Sequence, residues 1–305
     1  MSAPYPRIRL DGSFEGQRLA LLRECVTLAF YMRRSHGEVH AGILHALETY
    51  LHAVGPRALG WYVDTEGEWK ELDEAGHASV RQRLIHPRGA TLELAGAPDD
   101  LTGYGLTYRG RPLDVSSSPD ARDEVCMVTF SLPTEHLERV GAEAVRALAL
   151  KLGEGLPFDS GHMGLALQFP GWTHDNTPLL RDSGLRYPGL DIPERSLALH
   201  LGTRVKGAHW LTFLGQPVLG PLGGVGGLRA RLRSPDTTVE ALGEGRAVIS
   251  LGPRPEAGDR ERGLLLPAYR ELARLLEPWL YTEQRCPWGN LSPEELRRWE
   301  RRFLD

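Results

Sequence analysis

Asp64, Glu68 and Lys70 form a D…E-x-K set, and two carboxylates beside a lysine are what a metal-dependent nuclease gathers. The acids suit a hard Mg²⁺ ion and the ammonium suits charge that develops in the transition state. The pattern is weak in this setting. Thr65-Glu66-Gly67 reads as a hairpin loop, so Asp64 leaves one strand as Glu68 enters the next, and E-x-K arises by chance in any charged strand. A solvated strand face is the plainer reading, with a Mg-dependent nuclease as the enzymatic alternative.

The remaining chemistry-bearing residues fail on order or spacing. His36 and His40, in HGEVH, share a helix face, but zinc hydrolases use H-E-x-x-H or H-x-x-E-H. Here the acid is third and caps the helix, so both histidines read as packed or capping. His45 and His52 fall on the opposite, solvated face with no third ligand close in sequence. Ser160, in FDSGH, lacks the glycine two residues earlier that a nucleophile elbow requires. Gly223 to Gly227, GGVGG, fits neither nucleotide-binding glycine pattern, and Asp236 follows too soon for a ribose contact; close packing of a helix on a strand accounts for it. No cofactor and no metal ligand set is read from the sequence.

Composition narrows the class. A chain of 305 residues, 41% hydrophobic and 25% charged, can bury a sizeable core. No apolar run approaches the roughly 18 residues of a spanning helix and the start lacks a secretory h-region, so the cytoplasm is the default expectation. Cys25, Cys126 and Cys286 are distant from one another and odd in number, which suits buried free thiols. Of 36 basic residues only Lys70, Lys151 and Lys206 are lysine, an imbalance that reflects GC-rich coding and not phosphate binding. The net charge of −4 is neither a nucleic-acid binder's nor a DNA mimic's. It is concentrated: Asp64 to Ala75, DTEGEWKELDEA, carries six acids against Lys70, a local net of −5.

The elements that would position these residues alternate between strand-like and helical periods, which predicts an α+β fold. Val26 to Met32 reads as a strand. Ser35 and Glu38 form a capping box that opens a helix with Val39, Ile43, Leu44, Leu47, Leu51 and Val54 on one arc. Ala58 to Asp64 and Glu68 to Leu72 read as a hairpin, followed by a short helix at Ala78 to Leu84 and strands near Thr91 and Gly105. The polar stretch Asp114 to Glu124 divides this pass from a second. That one begins with a strand at Val125 to Leu132 and one long helix at Thr134 to Leu152, and continues with a strand ending at Phe169 and an irregular stretch from Pro170 to Pro193. Strands are expected at HWLTFL, Val239 to Leu242 and Ala247 to Leu251, then helices at Pro267 to Glu277 and after the Ser292 cap. We expect two similar α/β-layered subdomains, residues 1–115 and 125–305, or one compact unit, with mixed or antiparallel sheets covered by helices.

Gly202 to Gly215 reads GTRVKGAHWLTFLG, and Tyr187 to Pro193 reads YPGLDIP. With TLAFYMRR at Thr27 to Arg34, RLIHPRGATLEL at Arg83 to Leu94 and LGGVGGLRARL at Leu222 to Leu232, these blocks resemble a type VI immunity family. Its members are cognate to VRR-Nuc nuclease toxins of type VI secretion systems. The resemblance spans most of the chain and rests chiefly on Lys206 to Gly215. It implies a protein that binds and neutralises a nuclease toxin without catalysis or a cofactor, and without direct contact to nucleic acid or membrane. Gly207, Trp210, Thr212 and Gly215 would be structural, with aromatic and β-branched side chains alternating along a strand. The toxin-binding surface is then expected at the acidic hairpin, through Asp64, Glu66, Glu68, Trp69, Glu71, Asp73 and Glu74, where charge speeds encounter and an aromatic anchors it. A non-catalytic adaptor or structural subunit on the same fold is the other reading. The oligomeric state is left open.

Overall fold

The computed structural model describes residues 5–14, 17–98, 101, 103–114, 122–170, 178–282, 288 and 290–305. Two strands open it, β1 (Arg9–Phe14) and β2 (Gln17–Met32), followed by helix α1 (His36–Val54). The Glu38 carboxylate accepts the Ser35 N–H at 2.8 Å, while the Ser35 hydroxyl turns to Asp114. The hairpin is β3 (Trp61–Val63) and β4 (Trp69–Glu71), paired antiparallel. Helix α2 (Glu74–Leu84) starts earlier than the expected Ala78, because Asp73 caps it by accepting the Gly76 N–H at 2.8 Å. Strands β5 (Ala90–Ala95), β6 (Gly105–Gly110) and β7 (Cys126–Pro133) follow.

The expected single helix after β7 is two. Gly141, at φ 85°, ends α3 (Thr134–Val140) and caps the start of α4 (Ala142–Glu154), a conformation that glycine alone adopts without strain. Strand β8 (Ser160–Gln168) reaches back to Ser160, and the stretch expected to be irregular contains α5 (Pro178–Arg186). Strand β9 (Leu211–Leu214), helices α6 (Gln216–Leu219) and α7 (Gly224–Arg231), and strands β10 (Thr237–Ala241) and β11 (Ala247–Leu251) come next. The described chain closes with α8 (Pro267–Leu276) and α9 (Pro293–Glu300), the latter capped by Ser292, whose hydroxyl accepts the Glu295 N–H at 3.2 Å.

Among the described residues, all eleven strands join one antiparallel sheet in the order β10-β11-β9-β8-β2-β7-β6-β5-β3-β4, with β1 beside β2. Strand β2, from the first part of the chain, lies between β7 and β8 from the second. Period-2 alternation gives β2 two buried faces. Val26, Leu28, Phe30 and Met32 enter the main core with Val39, Ile43 and Leu47 of α1, and Phe30 packs on Phe158 and Phe213 at centroid distances of 5.3 and 5.0 Å. Ala29 and Tyr31 face the other way, into a smaller cluster with Met127, Leu197, Leu201 and Tyr281. That second face is only partly covered, and the gap is where the site lies.

Candidate functional site

The uncovered part of the second sheet face is a cavity of about 630 Å³. Thr27, Ala29 and Tyr31 of β2 and Met127, Thr129 and Ser131 of β7 form its middle; Val63, Gly67 and Trp69 of the acidic hairpin line one side. Arg195, which also lines it, makes a bidentate ion pair with Glu93 of β5 at 2.8 and 2.5 Å, tying the 3-10 turn Arg195–Leu199 to the sheet. At the other side His162, Asp191 and Lys206 line the same cavity.

These three, with His209, form a buried polar cluster built by four segments. His162 stands in β8, in register with Ala29 of β2 and Thr212 of β9. Asp191 is brought in by the YPGLDIP stretch, whose backbone clips to β8: Asp191 N–H donates to Leu165 O at 2.8 Å and Asp191 O accepts Leu167 N–H at 2.9 Å. Gly189 lets that stretch pass close to its neighbours, since a Cβ there would lie 2.1 Å from Glu256 O. Lys206 follows Val205, which bridges Leu280. His209 ends the loop that leads into β9.

Lys206 Nζ donates to Asp191 Oδ2 and to Ile192 O, both at 2.7 Å. His162 Nε2 lies 3.2 Å from Asp191 Oδ2, and His209 Nε2 lies 3.5 Å from Asp191 Oδ1. The two imidazoles stack at a centroid distance of 4.2 Å and 27°, and His162 stacks in turn on Tyr31 at 5.8 Å. Burial pushes the His162 pKa down to about 3, with His209 adding to the effect, so the ring is neutral. Burial lowers His209 as well, only partly offset by Asp191. Burial alone would raise Asp191, but Lys206 and the two histidines outweigh it and hold the carboxyl well below the usual range. Behind the cluster the half-buried Arg302 lies over Trp299, 4.1 Å from its ring, and donates to Pro188 O at 2.9 Å; desolvation lowers its pKa to about 10.

The motif residues frame this cluster. Gly207 O meets His209 Nδ1 at 3.1 Å; the Thr212 hydroxyl accepts the His209 N–H at 3.1 Å and reaches His209 O at 3.3 Å. Trp210, fully buried, donates its indole N–H to Gly252 O at 3.0 Å. Gly215 packs where a Cβ would stand 2.6 Å from Phe158 O. Sequence reasoning missed Asp191, Lys206, His209 and His162, although three of them lie inside the blocks that carry the resemblance. The signal was there in YPGLDIP and KGAHWLTFLG: one acid, one of only three lysines and one histidine amid apolar residues.

The residues singled out from the sequence are placed as follows. Asp64 closes the hairpin turn, accepting the Glu66 and Glu68 N–H groups, both at 2.9 Å, and those bonds lower its pKa. Lys70 sits 3.8 Å from it. Glu66, Glu68, Glu71, Asp73 and Glu74 are exposed and Trp69 is half-buried. His36 is buried between Tyr108 OH at 2.8 Å and Leu84 O at 2.9 Å, and His40 Nδ1 meets Gly37 O at 3.0 Å. His45 and His52 are exposed. Ser160 donates to Arg204 O at 2.8 Å. In the Gly-rich run, Gly227 packs so that a Cβ would meet Leu222 O at 2.1 Å, and Arg229 of α7 donates twice to Val239 O of β10. Cys25 and Cys126 are buried free thiols; Cys286 lies outside the described residues, as do most of the residues from Asp114 to Glu124. Among the described residues no helix is long and apolar enough to cross a membrane.

The fold is mixed α+β with one antiparallel sheet, and two of the motif blocks meet at its buried cluster. The chain belongs to the family described as type VI immunity for VRR-Nuc, whose model matches residues 42–303. Its fold is similar to that of the Pseudomonas aeruginosa T6SS protein PA0821, with a TM-score of 0.80 at 18% identity over 99% of this chain and 88% of that one. No curated protein sequence matches it.

Proposed function

We propose that this protein binds a cognate VRR-Nuc-type nuclease toxin and neutralises it by covering its nucleic-acid-binding or active site, by association and without turnover. It works in the cytoplasm, where such a toxin meets nucleic acid, and it touches neither the nucleic acid nor a membrane. Family membership supports the partner class. The observation that carries the mode of action is the placement of Trp69: it lines the cavity while its hairpin neighbours Glu66, Glu68 and Glu71 stay exposed. An acidic rim around an aromatic anchor beside a concavity complements the basic groove with which a nuclease grips DNA. Gly207, Trp210, Thr212 and Gly215 act as structural residues behind this surface, Gly207 and Thr212 through their bonds to His209.

Protection of this kind requires an affinity near nanomolar, about 12 kcal/mol, over an interface of roughly 1,600 Å². The test is co-expression with a candidate cognate VRR-Nuc nuclease. Survival with recovery of a 1:1 complex is expected; continued killing with no complex would overturn the reading.

A further inference from the structure

His209 and Asp191 face each other across a gap that lacks a proton. Gly207 O can only accept, so His209 Nδ1 carries the ring hydrogen and Nε2 of the neutral imidazole presents a lone pair. What Nε2 faces, at 3.5 Å, is Asp191 Oδ1, a second lone-pair atom. Both are fully buried and neither has a hydrogen-bond partner among the described residues; His162 Nδ1 is in the same condition. Lys206 grips the other carboxylate oxygen, Oδ2, and leaves Oδ1 unneutralised. One donor atom from each of His162, Asp191 and His209 lies within 4.8 Å of the other two.

We infer that this gap is a binding site for one divalent transition-metal ion of the zinc class, held by His209 Nε2, Asp191 Oδ1 and His162. Two atoms 3.5 Å apart subtend about 110° at an ion about 2.1 Å from each, which is the tetrahedral angle that zinc prefers. A bridging water donating to both atoms at about 2.8 Å would be squeezed to roughly 80°, well short of its own H–O–H angle. The His209 Nδ1–H to carbonyl bond is the outer contact that orients a metal-ligating histidine, and Lys206 on Oδ2 orients the carboxylate in the same way. His162 stacks on His209 at 27°, so loading turns its ring out of the stack to bring a nitrogen into line. His162 and Asp191 line the cavity, which supplies the ion's entry path and the fourth coordination position.

The experiment uses the untagged full-length chain, stripped with a chelator, desalted, and titrated with Zn²⁺ and separately with Co²⁺. One equivalent of each is expected to bind, with the visible absorption bands of four-coordinate Co²⁺ and a rise in Tm with Zn²⁺. Asp191→Asn and His209→Gln should each weaken binding at least tenfold to a hundredfold. Less than a tenth of an equivalent on the folded wild-type chain would overturn the proposal, as would stoichiometric binding that survives in both variants. Should the variants not fold, imidazole ¹⁵N spectra of the wild-type chain decide. A His209 Nε2 resonance that moves on adding Zn²⁺ supports the site; a His209 ring protonated on both nitrogens and indifferent to Zn²⁺ means that a proton fills the gap instead.

Discussion

Lys206 Nζ stands 2.7 Å from Asp191 Oδ2, with the two side chains 4% and 1% exposed. The pair fastens two loops that have no helix or strand of their own to hold them: one clipped to β8, the other to the segment around Leu280. A charge pair so far from solvent is strongly asymmetric in its energetics, because either partner left alone keeps the full cost of burial.

Replacing Lys206 by Met should therefore cost about 3–5 kcal/mol of folding stability, measured by urea unfolding. Asp191→Asn in the same chain should restore part of that loss, since the uncompensated carboxylate is then gone. A double variant less stable than the sum of the two single changes would show that the ion pair is not the source.

Acid should loosen the amino-terminal strand. Burial would raise the Glu24 pKa, but hydrogen bonds from Arg9, the Ile8 N–H and Arg7 outweigh it and hold the group below its ordinary 4.5. A carboxylate depressed in the folded state stabilises fully above its unfolded pKa, and that stability is lost as pH falls through the folded value. Thermal melts from about pH 7 down to about pH 3 should show a decline beginning near 4.5 that is shallower in Glu24→Gln. Equal slopes in the two chains would remove Glu24 from the account.

Charge reversal at Glu66, Glu68 and Glu71 should slow toxin association by about tenfold or more at low salt, and the difference should shrink as salt rises. Stability should stay within about 0.5 kcal/mol, because these side chains are exposed. Trp69→Ala should act on dissociation instead. Stopped-flow rates unchanged in every variant would place the interface elsewhere.

Two glycines offer opposite outcomes from the same substitution. Gly189→Ala puts a Cβ 2.1 Å from Glu256 O and should cost about 1–3 kcal/mol. Gly37→Ala, in α1 with nothing within 4 Å of the new Cβ, should stabilise by up to about 1 kcal/mol. Thermal denaturation reads both, and a neutral Gly189→Ala would mean that the YPGLDIP stretch can shift away from Glu256.

Local signals were legible where local physics decides the structure. The Ser35 and Ser292 caps, the alternation of β2 and the turn at Gly67 all follow from residues a few positions apart. The break at Gly141 is hidden in the sequence because an apolar stripe with helical period runs through it on both sides; only its positive φ reveals it. The buried cluster was not legible, because His162, Asp191, Lys206 and His209 are separated by up to 47 positions and meet only once β8, β9 and two loops are in place. Asp191 in isolation looks like a turn residue and His209 like one more core ring. What turns them into a site is a sheet order that no periodicity encodes.

That sheet order also sets a clock. Strand β2 ends at Met32 and one of its two flanking strands, β8, begins only at Ser160. At typical synthesis rates the intervening stretch takes on the order of 10 s to leave the ribosome. During that time the longest of the described strands waits without a neighbour on that edge. Under the function proposed above, a chain begun at the moment of attack protects only after that delay. Under the same proposal, a cell has to hold finished copies in reserve before the first injection arrives.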